Sequence, residues 1–403
     1  MPSSAKSCPR SRPLHELRAN SVIPLLVHGQ GVILFESTDN TTPCSFYLLN
    51  NDKTKGLGVE FIVNKVRVFI LSSSESKELI DDKNKVGLIN KSGAYYWFSL
   101  DTHNKTLYGG IGEPRLETIV YEYVFSDDVT AFLESLTVVQ FITPTIKPLK
   151  LLRDPITSNV SLRVKNTDEL TMSDVASGKF LPKANLSPMA QKMYDCITGK
   201  NFLLNDAEFP NFSNAIKQSI NNPDGWCYKR LAEKAREFSK EPRPLETYLR
   251  ITLGQNNGES PGVPYVMEIW PVGHFSPIHS HSVANAVIRV LHGTIQVELF
   301  PFLCDEKESV LPFATTHFTE DEVTWISPTL NQIHRLTNLP ANTEPCITIQ
   351  CYMYNEDDDA HYDYFDYLGD NGKKQQYTPD SDMEFIAFKQ LMKEEWLSYA
   401  GTP

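Results

Sequence analysis

The chain has 403 residues, of which 41% are hydrophobic and 11% aromatic, and its formal net charge is −12. This composition predicts a globular protein, and the length predicts at least two domains because single cores seldom exceed about 250 residues. The acidic balance disfavours binding to nucleic acid or to an anionic membrane, and no apolar run reaches about 18 residues, the length that spans a bilayer.

The chain begins with a segment, residues 1–19, that has basic side chains but no apolar stretch after them. It is therefore predicted to be a disordered tail rather than a secretory signal. Seven cysteines are scattered along the chain without C-x-x-C spacing, which favours free thiols in a reducing compartment. The expected location is the cytoplasm.

Residues 20–141 contain short runs of alternating β-branched and aromatic residues, such as "GVILFES" and "VEFIVNKVRVFILSS", separated by Gly, Asn and Asp. This pattern predicts an N-terminal β-sandwich. Residues 142–188 have few aromatics and several prolines, which predicts a linker.

Residues 189–403 are predicted to form one domain. From 189 to about 239 the apolar residues recur at helical spacing, and "PDG" at 223–225 predicts a helix start before Trp226. The pattern then returns to strands and ends in a helical stretch around "MEFIAFKQLMKEEWL". The fold class is therefore mainly β, with a short helical preface to a closed barrel and a separate sandwich before it.

Three histidines stand out by their spacing: His279 and His281 are two residues apart, and His334 follows about fifty residues later. Because side chains alternate along a strand, His279 and His281 should point to the same side and reach one ion. Imidazole suits iron, copper, zinc and nickel, and three such ligands with open positions are typical of non-heme Fe(II) oxygen chemistry. The competing interpretation is a trio of core histidines, and the glycines that frame the run favour a metal.

The glycines and histidines of this run resemble the first motif of the cupin superfamily. The residues that carry the likeness are Gly273, His279, His281, Ala286 and Gly293. The stretch "HRLTN" at 334–338 resembles the second motif. The resemblance implies a cupin-type β-barrel in the C-terminal domain.

The stretches "EIWPVGHFSPIHSHSVANAVIRVLHGTIQVELF" and "IHRLTNLPANTEPCITIQCYMY" resemble, more narrowly, the cysteine dioxygenase family over about residues 200–380. This resemblance implies one Fe(II) bound by His279, His281 and His334, without the glutamate that most cupins have at the position of Ala286. Three neutral ligands leave the ion's charge unbalanced, which favours a substrate that supplies a thiolate. The implied reaction is the oxidation of L-cysteine by O2 to cysteine sulfinate, in cysteine catabolism and taurine biosynthesis.

The same resemblance implies further site residues. "LETYLR" places Tyr248 and Arg250 at the family's Tyr-x-Arg, whose arginine binds the carboxylate of the amino acid through its guanidinium fork. Tyr352 matches a tyrosine that donates a hydrogen bond to the reacting oxygen, and Trp270 is expected to pack beside the site.

Two positions depart from the family pattern. Ala286 stands where animal members have a cysteine crosslinked to the tyrosine, although bacterial members also lack that cysteine. The family's Ser-x-His-x-Tyr series reads "TIQCY" at 348–352, with Thr348 and Gln350 at its first two positions. Gln350 can orient the Tyr352 hydroxyl, but it cannot carry a proton as imidazole can. Two alternatives therefore stay open: a catalytically weakened metal-binding cupin with a binding or regulatory role, or a dioxygenase for another small thiol such as 3-mercaptopropionate or cysteamine.

In the N-terminal domain, residues 95–115, "YYWFSLDTHNKTLYGGIGEPR", resemble a small β-sandwich module named for farnesoic acid methyltransferase. The resemblance implies a binding role with a protein or carbohydrate partner. No chemistry is assigned to this domain, because its glycines are expected in turns and its aromatic residues in the core.

Overall fold

The computed structural model describes residues 10–14, 20–39, 41–63, 65–72, 76–82, 94–254, 263–303, 311–354, 365–369 and 372–400. These residues form two compact units that divide between Asn159 and Val160. The predicted fold class, mainly β with several sheets, is confirmed.

The N-terminal unit is a sandwich of two six-stranded antiparallel sheets. Its strands are β1 (Ser11–Pro13), β2 (Val22–Pro24), β3 (Gln30–Ser37), β4 (Cys44–Asn50), β5 (Gly56–Ile62), β6 (Lys65–Leu71), β7 (Ser76–Asp82), β8 (Tyr95–Asp101), β9 (Thr106–Ile111), β10 (Ile119–Val124), β11 (Leu136–Phe141) and β12 (Ile146–Leu152). One sheet has the order β1-β12-β3-β8-β9-β10, and the other has the order β2-β11-β4-β5-β6-β7. One short helix, α1 (Thr130–Glu134), and the 3-10 turns Leu116–Thr118 and Asp127–Val129 connect strands.

Aromatic side chains fill the space between these two sheets. The ring of Phe35 on β3 lies 5.7 Å from that of Phe46 on β4 and 5.0 Å from that of Phe61 on β5, both edge-on. Edge-to-face contacts of this kind stabilise a core beyond the burial of their area. Within the run at 95–115, Tyr96 and Trp97 are fully buried, so these two rings serve the core. A binding role for this unit stays a prediction.

The C-terminal unit consists of two packed sheets and five helices among its described residues. Its strands are β13 (Val164–Lys165), β14 (Leu181–Pro182), β15 (Leu249–Thr252), β16 (Tyr265–Trp270), β17 (His279–Ser280), β18 (Asn285–His292), β19 (Thr294–Leu299), β20 (Ala314–Thr319), β21 (Val323–Ile326), β22 (Ile333–Thr337), β23 (Cys346–Met353), β24 (Phe365–Leu368), β25 (Lys374–Tyr377) and β26 (Met383–Glu384). Its helices are α2 (Met172–Ser177), α3 (Pro188–Ile197), α4 (Phe212–Asn221), α5 (Trp226–Lys234) and α6 (Phe385–Ala400), with 3-10 turns at Thr167–Glu169 and Lys183–Asn185.

An eight-stranded sheet has the order β14-β13-β21-β18-β23-β16-β15-β26, and a six-stranded sheet has the order β20-β19-β22-β17-β24-β25. The expected closed barrel is therefore not formed by the described strands, whose hydrogen bonds make two separate sheets. Apolar side chains of both sheets meet in shared clusters, and one such cluster contains Val290 of β18 and Val297 of β19. Side chains that point between the sheets consequently face a common interior.

The helical preface covers the outer face of the larger sheet. α3 begins at Pro188, and the Ser187 hydroxyl caps it by accepting a hydrogen bond from the Ala190 amide. α4 packs on α6 through Phe212 and Phe388, whose ring centroids are 5.9 Å apart. No described helix is both long and apolar enough to cross a membrane.

The segment 142–188, predicted to be a linker, contributes strands to both units. β12 lies inside the first sandwich between β1 and β3, and β13 pairs with β21 of the C-terminal unit. Pro148 and its neighbours favoured a loop in the sequence, but β12 accommodates the proline at a register shift between Pro148 and Lys150. β1 likewise lies in the segment 1–19 that was expected to be a disordered tail; of that segment, 10–14 is described.

The two motif glycines differ in how much room surrounds them, which predicts unequal sensitivity to alanine. Gly293 (φ +76°) and Gly273 (φ +82°) are both in the left-handed region, but a Cβ on Gly293 would lie 2.5 Å from the Pro345 carbonyl oxygen, whereas on Gly273 the nearest contact is 3.9 Å. Gly273→Ala should cost about 1–2 kcal/mol from backbone strain. Gly293→Ala should cost roughly 1–3 kcal/mol more from the clash. Urea unfolding measures the free energy of unfolding of both variants. Equal decreases in the two would contradict the effect of the close approach between Gly293 and the Pro345 oxygen.

Candidate metal site

Neighbouring strands bring the three predicted histidines together. His279 on β17 is the direct antiparallel neighbour of His334 on β22. β17 ends at Ser280, and His281 follows it immediately. The possible ligand atoms of the three side chains all lie within 4.8 Å of one another, so the group could hold a metal ion.

Hydrogen bonds to main-chain carbonyls fix two of the three rings. His279 Nδ1 lies 3.0 Å from the Pro277 oxygen, and His334 Nδ1 lies 3.1 Å from the Asn331 oxygen. Because a carbonyl only accepts, each Nδ1 carries the proton and each Nε2 presents a lone pair. His281 Nε2 lies 3.3 Å from His334 Nε2, and His281 Nδ1 is buried without a hydrogen-bond partner. A cation shared by the Nε2 atoms fits this arrangement.

Burial keeps all three rings neutral. Loss of solvent lowers the pKa of His279 to about 4 and the pKa of His334 to about 3. Burial also lowers the pKa of His281 well below its ordinary value, with added contributions from the two neighbouring histidines and Arg250. Neutral imidazole is the form that binds a metal, so near neutral pH the site is ready for an ion without releasing protons.

Acid is expected to destabilise the metal-free protein through these rings. In the unfolded chain their pKa is about 6.5, so between that pH and the lowered folded-state pKa the unfolded chain binds more protons. The stabilisation present above about pH 6.5 is therefore lost as the pH falls, and for His279, with a folded pKa of about 4, the loss is on the order of 3 kcal/mol. Urea unfolding at pH 7.5 and 4.5 measures it. His279→Asn should lose less over the same interval, and an unchanged loss would count against this origin.

No carboxylate joins the histidines in the described part of the chain. The group of possible ligands there is the three histidines alone. Ala286 is fully buried on β18 and lies directly across from Tyr352 on β23. Its short side chain supplies no ligand atom.

The histidines line a small cavity of about 40 Å³ between the two sheets, which is room for roughly three water molecules. Phe365 stands edge-on to His281 with ring centroids 4.2 Å apart, and the ring of Tyr352 stacks on His281 at 5.4 Å. Tyr352, Gln350, Thr348, Tyr248 and Trp270 also line this cavity. The dimensions favour a small ligand.

The predicted residues Tyr248 and Trp270 form one wall. Their rings stack with centroids 4.3 Å apart, and both side chains are buried. Burial raises the pKa of Tyr248 well above its ordinary value, so the phenol stays protonated. Trp270 Nε1 is buried without a hydrogen-bond partner. Whether Tyr248 contacts a substrate stays a prediction.

A chain of hydrogen bonds runs from Tyr352 across three neighbouring strands. The Tyr352 hydroxyl donates to Gln350 Oε1, and Gln350 Nε2 donates to Glu268 Oε2. Gln350 Nε2 also lies 3.3 Å from Thr348 Oγ1. Thr348, Gln350 and Tyr352 alternate on β23 and so share one face, and Gln350 orients the tyrosine hydroxyl as its amide allows.

The far end of this chain is an ion pair that the motifs did not suggest. Arg250 on β15 is the direct neighbour of Glu268 on β16, and Arg250 Nη1 donates to Glu268 Oε1 over 2.9 Å, with both side chains buried. Burial raises the pKa of Glu268, and Arg250 opposes that shift. Glu268, not Arg250, is among the described residues that line the cavity. In the sequence, this pair was indicated by the acidic residue inside the apolar run "YVMEIW".

No family model matches the chain. It is similar to the cupin domain of Cnp3 from Schizosaccharomyces pombe, with 13% identity and a TM-score of 0.20 over 26% of this chain and 63% of that one. It is also similar to a cupin 2 domain-containing protein from Halorhodospira halophila, with 16% identity and a TM-score of 0.21 over 39% of this chain and 84% of that one. A third similar structure is galectin LEC-6 from Caenorhabditis elegans, with 9% identity and a TM-score of 0.25 over 36% of this chain and 94% of that one. The architecture described above follows from the chain's own strand pairing.

Proposed function

We propose that this chain is an iron-dependent dioxygenase that adds both atoms of O2 to the sulfur of a small thiol. The observation that carries the proposal is the group of three buried, neutral histidines with no carboxylate among them. Imidazole accepts several transition metals, so Fe(II) is part of the proposal and follows from the resemblance of the histidine motifs to the cysteine dioxygenase family.

The charge of the site supports a thiolate ligand. A divalent ion bound by three neutral imidazoles keeps its full charge in a buried cavity, and an anionic sulfur would reduce that charge. When bound, Fe(II) supplies the one-electron chemistry that allows O2 to react with a thiolate. The thiolate and O2 together contain every atom of the sulfinate product, so the reaction needs no external reductant.

Residues of the chain itself shape the substrate cavity and orient the Tyr352 hydroxyl. Phe365 and the stacked pair of Tyr248 and Trp270 keep the cavity small and apolar, which excludes bulk water and large substrates. The Tyr352 ring stacks on His281, and its hydroxyl donates a hydrogen bond to Gln350 Oε1, so the hydroxyl orientation is set before a ligand enters. A glutamine in this position holds the hydroxyl but does not take up a proton.

The test is oxygen consumption by the iron-loaded full chain with L-cysteine, 3-mercaptopropionate and cysteamine. Mass spectrometry after reaction under ¹⁸O2 should find a sulfinate that carries two labelled oxygens. L-cysteine, the substrate implied by the resemblance, stays a prediction. No oxygen consumption with any of the three thiols, in protein that holds one iron per chain, would overturn the proposal and favour a metal-binding cupin without turnover.

A further inference from the structure

We infer that Glu268 is a resident counter-ion for Arg250, which makes this cavity select small aminothiols that lack a carboxylate. The inference rests on the proposed dioxygenase function and names the substrate class of the same site. Arg250 is the residue that the sequence predicts to bind a substrate carboxylate, but its Nη1 donates to Glu268 Oε1 over 2.9 Å inside the protein.

Glu268 is held in place at both oxygens. Oε1 accepts from Arg250 on one side, and Oε2 accepts from the Gln350 amide on the other. Gln350 Oε1 in turn accepts a hydrogen bond from the Tyr352 hydroxyl. A neutral amide suits this position because it donates to the carboxylate and accepts from the phenol at once, so the glutamine and the glutamate form one connected arrangement.

The neighbouring charges leave little to attract a second carboxylate. Lys234, whose ammonium lies over the Tyr248 ring, donates to Asp382 over 2.9 Å and lies 3.5 Å from Glu237. Asp382 also accepts from the Arg250 main-chain amide over 2.7 Å. A carboxylate brought by a substrate would therefore meet Glu268 as a like charge in a buried site, which is unfavourable.

The ammonium group of a substrate would instead be attracted to the Glu268 carboxylate, because the two charges are opposite. A carboxylate accepts about four hydrogen bonds, so Glu268 keeps acceptor capacity beside its bonds to Arg250 and Gln350 while it lines the cavity. An aminothiol can then place its sulfur toward the histidines and its ammonium toward Glu268. Cysteamine is the smallest aminothiol, and it is the probe that represents this class.

The experiment compares kcat/KM for cysteamine, L-cysteine and 3-mercaptopropionate in the iron-loaded full chain and in Glu268→Gln. The unmodified chain should prefer cysteamine to both carboxylate thiols by about tenfold or more. Glu268→Gln removes the charge at nearly constant size, so the ratio of cysteamine to cysteine should fall by at least about tenfold. Glu268→Asp keeps the charge and should keep the preference. Glu298→Gln, which removes a carboxylate paired with Arg335, is the control outside the cavity.

Anaerobic calorimetry with the same three thiols separates failure of this inference from failure of the dioxygenase proposal. Tighter binding or faster turnover of cysteine than of cysteamine in the unmodified chain would overturn the selection by Glu268 and leave the oxygenase proposal standing. Absence of turnover with every thiol would remove the proposed function, while the binding order would still decide the role of Glu268. Thermal melting of each variant establishes that it is folded before its preference is compared.

Discussion

Replacing His334 with alanine is expected to abolish stable iron binding and, with it, thiol-dependent oxygen consumption. The variant loses one of three Nε2 atoms in a site that has no other described ligand within reach, and it frees the Asn331 carbonyl that orients the ring. Loss of a residue that merely orients a ligand typically costs 10–100-fold in metal affinity, so loss of the ligand itself should cost about 100-fold or more. Iron content after dialysis against a weak chelator, measured by elemental analysis, gives the result.

His317→Ala is the matched control for this experiment, because His317 is exposed on β20 and should retain full iron content. His334 is buried, so circular dichroism and melting of the metal-free variant must accompany the measurement. A folded His334→Ala protein that still holds one iron per chain would exclude this group as the metal site.

Replacing Arg250 with alanine is expected to destabilise the C-terminal unit by about 3–5 kcal/mol, because it leaves the buried Glu268 carboxylate without its cationic partner. Both side chains are buried, on the neighbouring strands β15 and β16. The double variant Arg250→Met, Glu268→Leu should recover much of this loss, since a buried ion pair contributes little over apolar residues of similar size. Chemical unfolding of the metal-free proteins measures both effects.

Lys217→Ala provides the contrast, because the Lys217–Glu344 pair is of similar length, 2.6 Å, but both side chains are more than one third exposed. Solvent screens such a pair, and its loss should cost no more than about 1 kcal/mol. If Arg250→Ala and Lys217→Ala lowered the free energy of unfolding equally, the loss of Arg250 would not leave Glu268 as an uncompensated charge.

Part of the convergence of the histidines could be predicted from the sequence because that part depends on local rules. Alternation along a strand places His279 and His281 on one side, and the second motif supplies His334 at the next strand along the sheet. The alternation of Thr348, Gln350 and Tyr352 follows from the same period of two. Alternation needs no knowledge of which strands are neighbours, whereas the approach of His334 depends on the pairing of β22 with β17 and was indicated only by the resemblance to the second motif.

The ion pair could not be predicted in this way, because it depends on strand pairing. Arg250 and Glu268 are 18 residues apart in sequence, and only the register of β15 with β16 makes them partners. The role of Gln350 was uncertain for the same reason: without Glu268, an amide in place of imidazole looked like a loss, whereas beside a carboxylate it is a suitable donor. The strand β12 was not predicted because Pro148 argued against a strand that a local irregularity in fact tolerates.

The position of β12 between β1 and β3 determines where the gene can be divided to express the N-terminal unit. A fragment ending near residue 141 would lack this strand and would expose one edge of β3. The unpaired amides and carbonyls of that edge would form hydrogen bonds with other chains, which leads to aggregation. Division after Asn159 keeps both six-stranded sheets entire. Screens for a carbohydrate or protein ligand of this unit should therefore use the longer fragment.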